Sequence, residues 1–162
     1  MAMDGCGHDH DEHGLKPAAV RAALAVAEAG CAADGERMTA PRRRVLELLL
    51  AAGEPVKAYD LIAAYGRDGE AAKPPTVYRA LEFLERRGLA HRIASLSAYV
   101  ACSHGGSGHA AAFLICDCCG ATTEIGVGAG SQMSARAAEM GFAIQRATVE
   151  AHGLCARCQP GA

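Results

Sequence analysis

Tryptophan is absent from this chain of 162 residues, and aromatic residues make up only 4% of it. Its cores must therefore be aliphatic, built from Ala, Leu, Val and Ile. No apolar run approaches the roughly 20 residues that a membrane-spanning helix needs. No charged start leads into a short apolar stretch either, so no secretory leader is read. The chain is expected in the cytoplasm, without a membrane partner. In that reducing compartment, cysteine pairs at short spacing read as metal ligands rather than disulfides. No HExxH motif and no nucleophile–base pair is present, which argues against an enzyme and against a small-molecule substrate. No internal repeat is seen.

What the chain does have is eight Cys and seven His. This length holds one medium domain or two small ones, and small domains with thin cores usually need a staple of disulfide, metal or oligomer. The net charge of −2 hides an asymmetry. Residues 1–14 carry four acids and no Lys or Arg, whereas residues 15–97 carry thirteen basic against ten acidic residues. The basic surplus places any nucleic-acid partner on the middle segment, although a surplus this small also fits an ordinary solvated surface.

Residues 1–14 read as a disordered acidic and histidine-bearing tail. Its Cys6, His8, His10 and His13 suit weak metal binding or no role at all. Apolar residues Val20, Leu24 and Ala27 predict a first helix over Lys16–Ala33. Thr39, Ala40 and Pro41 offer a capping hydroxyl and a first-turn proline for a second helix, ended by Gly53. A third helix is expected from Val56 to Tyr65. A fourth, Thr76–Arg87, turns Val77, Ala80, Leu81 and Leu84 to one side. Two short strands, 89–94 and 97–102, follow it. Three helices and a hairpin make a winged helix-turn-helix. Beyond the Gly- and Ser-rich residues 103–108, strands at 111–116 and 123–127, a helix at 131–140 and a strand over Phe142–Glu150 predict a small α/β domain. The fold class is thus α+β. The domains are a DNA-binding unit at 15–102, a linker at 103–108 and a second domain at 109–162.

The sharpest chemical signal is Cys116-Asp117-Cys118-Cys119-Gly120 paired with Cys155-Ala156-Arg157-Cys158. Two C-x-x-C pairs close a tetrahedral four-thiolate zinc site, because each short loop turns two sulfurs toward one point. Buried free thiols and a redox pair are the competing readings, but the first needs no such spacing and the second needs only one pair. Cys116 with Cys118 is an alternative chelate. Gly120 after Cys119 favours the Cys116/Cys119 pair. A second set, His91, Cys102, His109 and Glu124, flanks the linker. Each member alone also reads as a surface, buried or solvated residue.

Ala58-Tyr59-Asp60-Leu61, Lys73-Pro74-Pro75-Thr76-Val77-Tyr78-Arg79-Ala80-Leu81, residues 109–120 and residues 150–158 are four separated motifs in one order. Together they make the chain resemble the ferric uptake regulator superfamily, and within it the zinc uptake regulator branch. The resemblance implies a zinc-responsive repressor that binds operator DNA as a homodimer and represses zinc-uptake genes. It implies zinc as cofactor, two per protomer. One is structural, at Cys116, Cys119, Cys155 and Cys158; the other is regulatory, at His91, Cys102, His109 and Glu124. The family's DNA contacts carry over to Tyr59, Tyr78 and Arg79, and Arg42, Arg43, Arg44 and Lys73 are candidates for phosphate contact. Two departures stand out. Pro41 sits one position later than in the family's Thr-Pro-x-Arg entry to the second helix. The histidines and Asp that the iron-sensing branch carries before its C-x-x-C are absent, which argues against iron. A sensor for another metal and a zinc buffer are the remaining rivals; Cys102 argues against hard metals, and a folded reading domain argues against a buffer.

Overall fold

The computed structural model describes residues 14–66, 73–103, 111–126, 129–145 and 147–159. The N-terminal tail with its Cys6, His8, His10 and His13, most of the 103–108 linker, and His109 lie outside the described residues. The chain divides into two compact units, one holding the described residues up to 103 and the other those from 111 onward.

The first unit begins with α1 (Pro17–Ala33), where Pro17 occupies the first turn, whose N–H groups have no helical partner. Val20, Leu24, Ala27 and Cys31 fall three or four residues apart and are buried as one stripe. Cys31 is one turn beyond the stripe expected from sequence. In α2 (Ala40–Ala52), Val45, Leu46, Leu49 and Leu50 are buried, and Gly53 ends the helix at φ +64°, a backbone angle that favours glycine. Thr39 takes the N-cap position, but its hydroxyl makes no capping hydrogen bond. The start therefore rests on Pro41, whose ring presets φ, rather than on the expected side-chain cap.

The third helix also starts later than expected. Val56 and Lys57 form a two-residue strand, β1, paired antiparallel with Tyr99 and Ala98, and α3 runs from Ala58 to Tyr65. β-branched Val56, directly after Pro55, suits an extended backbone, and the free edge of the hairpin supplies its partners. The fourth helix, α4 (Pro74–Arg86), buries Val77, Ala80, Leu81 and Leu84 as the periodicity requires, and Phe83 as well. Phe83 lies off that stripe, with the Arg42 guanidinium over its ring at 3.6 Å and that of Arg86 at 5.3 Å. β2 (Ala90–Ile93) and β3 (Ala98–Ala101) complete a three-stranded sheet of order β1-β3-β2, the wing of a winged helix-turn-helix.

In the second unit β4 (Ala111–Cys116) is central. It pairs antiparallel with β5 (Thr122–Gly126) and parallel with β6 (Thr148–Gly153). A parallel partner needs a crossover, and α5 (Ala129–Glu139) lies in that connection. Gly141, at φ +70°, turns the chain out of α5. Phe142 spends its N–H on Ala137 there and is exposed. That turn is why the last strand begins at Thr148 and not at Phe142. No helix among the described residues is long and apolar enough to cross a membrane.

The two faces of the helices in the first unit make a direct test. Leu49 is fully buried in the core, while Val26 on α1 is 70% exposed. Leu49→Ala should lower the unfolding free energy by about 2–5 kcal/mol, read from the urea midpoint. Val26→Ala should change it by less than about 0.5 kcal/mol. Equal losses would mean that α1 and α2 do not pack by these faces.

Candidate metal centre and nucleic-acid interface

The parallel pairing of β4 and β6 brings two chain segments side by side, in a register that ends at Cys116 opposite Gly153. Each strand then opens into a C-x-x-C loop. In the first, Gly120 at φ +73° returns its N–H to the Cys116 carbonyl at 2.9 Å, and Cys116 donates to Ala121. In the second, the N–H groups of Cys158 and Gln159 both turn back to the Cys155 carbonyl. The two loops face each other. The sulfurs of Cys116, Cys119, Cys155 and Cys158 all lie within 4.8 Å of one another, and Cys118 is not among the four.

The spacing fits a metal ion. A tetrahedral zinc with Zn–S of about 2.3 Å has sulfur–sulfur edges of about 3.8 Å. The Cys119 and Cys155 sulfurs stand 3.8 Å apart. The protonation pattern agrees with crowding. The Cys155 N–H, 3.3 Å from the Cys116 sulfur, and then the Cys119 N–H hold the Cys116 thiol down at about 6. The Cys158 side chain lowers that of Cys155. Desolvation and then the neighbouring sulfurs push Cys158 up to about 12. A cation bound among the four sulfurs would favour their thiolate forms, so its binding would release protons.

Beside this centre, His152 Nδ1 on β6 lies 2.9 Å from Asp117 Oδ1 of the first loop, a link that spacing alone did not reveal. Asp117 and His152 are 35 residues apart, and only the β4–β6 register makes them neighbours.

The second candidate set has described members in both units: His91 and Cys102 in the first, Glu124 in the second. His91 lies on β2 opposite Val100, and the Cys102 N–H donates to the Leu89 carbonyl at 3.0 Å. His91 and Cys102 are thus diagonal neighbours on one face of the wing, with their ligand atoms within 4.8 Å. Glu124, half-buried, lies on β5 opposite Phe113.

Of the residues expected to contact DNA, Tyr59 is in the first turn of α3 and 79% exposed, and Tyr78 and Arg79 are exposed on α4, away from its buried stripe. Arg79 makes no ion pair among the described residues. Five other arginines of this unit are engaged. Arg42 donates to the Arg37 carbonyl, Arg43 pairs with Glu28 at 2.7 Å and Arg44 with Glu47 at 2.9 Å. Arg86 meets Glu36, and Arg87 meets both Asp34 and Glu36. Lys73, at the start of α4, is exposed.

The model of the Ferric uptake regulator family matches residues 33–152. The chain belongs to this family. The zinc uptake regulation protein of Escherichia coli (strain K12) is 43% identical to it over 137 residues, which cover 83% of this chain and 80% of that protein. The zinc uptake regulation protein of Mycobacterium tuberculosis (strain ATCC 25618 / H37Rv) is 32% identical over 134 residues, 78% of this chain and 98% of its own. Among solved structures, a zinc uptake regulator complexed with zinc and DNA superposes with a TM-score of 0.78 at 42% identity, covering 86% of this chain and 94% of that one. Holo XcZur superposes with a TM-score of 0.73 at 44% identity, covering 87% and 96%.

The ligand set makes a stoichiometric prediction. Cys116→Ser or Cys155→Ser should lose one zinc per chain by elemental analysis and leave the second unit unfolded or aggregated, since structural zinc contributes roughly 10–16 kcal/mol of apparent binding energy near neutral pH. Cys118→Ser should keep that zinc. If Cys118→Ser loses it and Cys119→Ser does not, the first loop has been assigned to the wrong pair.

Proposed function

We propose that this chain is a zinc-responsive transcriptional repressor that binds operator DNA as a zinc-loaded homodimer and represses zinc-uptake genes in the cytoplasm. It acts by binding and not as an enzyme. The observation that carries this reading is its likeness, along most of its length, to a zinc uptake regulator solved with both zinc and DNA. The metal-binding geometry of the four-cysteine cluster supports it. Each protomer takes two zinc ions, one structural at Cys116, Cys119, Cys155 and Cys158, the other regulatory at His91, Cys102, His109 and Glu124. Residues 15–102 read DNA, residues 103–108 are the hinge, residues 109–162 dimerise, and residues 1–14 are a tail.

Zinc supplies a divalent charge and a preference for four ligands that mix thiolate, imidazole and carboxylate readily. Of the regulatory residues, His91 and Cys102 belong to the wing, while His109 and Glu124 belong to the segment beyond the hinge. Holding all four around one ion restricts the hinge and so selects a spacing of the two α4 helices in the dimer. The useful spacing is one that fits successive major grooves, about 34–36 Å per helical turn. Arg79, having no acidic partner of its own among the described residues, is available for a bidentate contact to guanine. Tyr59 and Tyr78 present rings and hydroxyls to the same surface. Because Arg42, Arg43 and Arg44 have internal partners, they add at most a general attraction to phosphate.

Gel shifts on the chain's own upstream regions, with zinc, iron or manganese against chelator, should give zinc-dependent retardation. Arg79→Ala should weaken specific binding by about 1–3 kcal/mol and relax the preference at one base position, whereas Arg43→Ala should weaken all sequences alike. Unchanged specificity in Arg79→Ala would displace α4 as the reading helix. The switch has its own test. Cys102→Ser should remain a folded dimer with one zinc fewer per protomer, bind the operator poorly in excess zinc, and leave zinc-import genes constitutive. Coupling is reciprocal, so zinc must bind more tightly on DNA by the same factor that DNA binds more tightly with zinc. A Cys102→Ser protein with wild-type stoichiometry and zinc-dependent repression would move the sensor to other residues.

A further inference from the structure

We propose that Asp117 and His152 form a clasp that positions the two C-x-x-C loops around one metal ion without touching that ion. The inference rests on the reading of the four cysteines as a zinc site and adds two positioning residues to it.

The clasp sits where the fold stops supplying order. The β4–β6 ladder ends at Cys116 opposite Gly153, and the Asp117 N–H to the Gly153 carbonyl, at 2.8 Å, is the first bond beyond it. Asp117 immediately follows the first ligand, and His152 precedes Cys155 by three residues. Their side chains meet at 2.9 Å. A carboxylate oxygen accepts in such a pair, which assigns the donated proton to His152 Nδ1. On the other side of the ring, Nε2 lies 4.0 Å from Glu150 Oε2, and Glu150 and His152 alternate on the same face of β6. The imidazole is thus tied through Nδ1 to the opposite loop, with a carboxylate of its own strand near its other nitrogen. His152 is not itself a ligand in this arrangement, because four sulfurs already complete a tetrahedron.

The geometry gives the clasp leverage. The two halves of the centre come from loops 35 residues apart in sequence, and a tetrahedral site tolerates displacement of only a few tenths of an ångström. A link one residue from Cys116 and three from Cys155 fixes the slide of one loop against the other before any metal arrives. Residues that orient ligands in this way typically contribute roughly 10–100-fold to metal affinity.

The experiment uses the full chain carrying Cys102→Ser, so that the four-cysteine zinc is the one followed. Zinc release into excess chromogenic chelator is timed well below the unfolding temperature, with circular dichroism as a check on folding. Asp117→Ala and His152→Ala should start with the same zinc content and, when loaded with cobalt, the same thiolate-to-cobalt absorption. Both should release metal roughly 10–100-fold faster. The double variant should be no faster than either single one. Asp117→Asn, whose side-chain oxygen still accepts a hydrogen bond, should stay near the parent rate and serve as the folded reference should the alanine variants fail to fold. Parent-like release from both alanine variants would overturn the clasp while leaving the zinc site intact, as would additive effects in the double variant. A parent chain without any zinc that Cys116→Ser removes would instead overturn the zinc site itself, and the clasp with it.

Discussion

Four thiols held within 4.8 Å of one another are the constraint on which the second unit depends. Ionised together they repel, and protonated together they waste the N–H groups that the loops aim at Cys116. A cation between them would reconcile the four. The need is sharpened by how little else this unit buries. Among its described residues the buried hydrophobic set is Ala111, Ala112, Phe113, Ile115 and Cys116, of which two are alanines and one belongs to the four-cysteine cluster itself. A metal that joins the ends of β4 and β6 closes a loop of some thirty-five residues and fixes the register of the parallel pair at once.

The first unit solves the same problem differently. Its core runs through α1, α2, α3 and α4 as a continuous aliphatic cluster that includes Leu24, Leu49, Leu61, Leu81 and Leu84. It needs no tryptophan because helices crossing at close range pack small and medium side chains well. Surface ion pairs such as Arg43–Glu28 and Arg86–Glu36 add little each, yet they have a functional consequence. They occupy the arginines around α4 and leave Arg79 on its outer face with no acidic partner of its own among the described residues. In the proposed reading of DNA by Arg79, that economy would favour sequence selectivity, since an unpaired arginine attracts any phosphate.

Much of this was legible in the residues. Helical periodicity located α1, α2 and α4 to within about two residues, and the stripe Val77, Ala80, Leu81, Leu84 is buried as read. The spacing of Cys116, Cys119, Cys155 and Cys158 announced the cluster that the structure brings together. What escaped has a common cause. Val56–Lys57 becomes a strand because of a partner forty residues away, Phe83 is buried because Arg42 covers it from another helix, and Asp117 meets His152 because two strands run parallel. None of these is a local property of the sequence. Thr39 shows the converse: a good capping residue in the right place, with its hydroxyl unused as a cap. The set His91, Cys102, His109 and Glu124 is legible only through family resemblance, since no spacing rule connects four residues from the two sides of a linker.

The two kinds of zinc site proposed here have to differ in how they relate to folding. A site required for the fold is occupied whenever the protein exists as a folded chain, and it therefore reports nothing about the metal outside. The four-sulfur cluster, tied into the ends of two strands, has that character. A sensing site needs the opposite: both its empty and its filled states must be folded, and they must differ in affinity for DNA. The wing residues proposed for that site, His91 and Cys102, suit this requirement, because their unit has a buried core of its own, with Leu84 and Ala90 among its members. Filling such a site changes which arrangement of the hinge is populated, not whether the domains exist. A metal that binds the DNA-competent arrangement about 100-fold better shifts the equilibrium by roughly 2.7 kcal/mol, within the usual range for coupled sites. The coordination chemistry then decides which metal does so. One thiolate beside imidazole and carboxylate would hold zinc well and hard cations poorly, so in the proposed ligand set the preference for zinc would fall chiefly to Cys102.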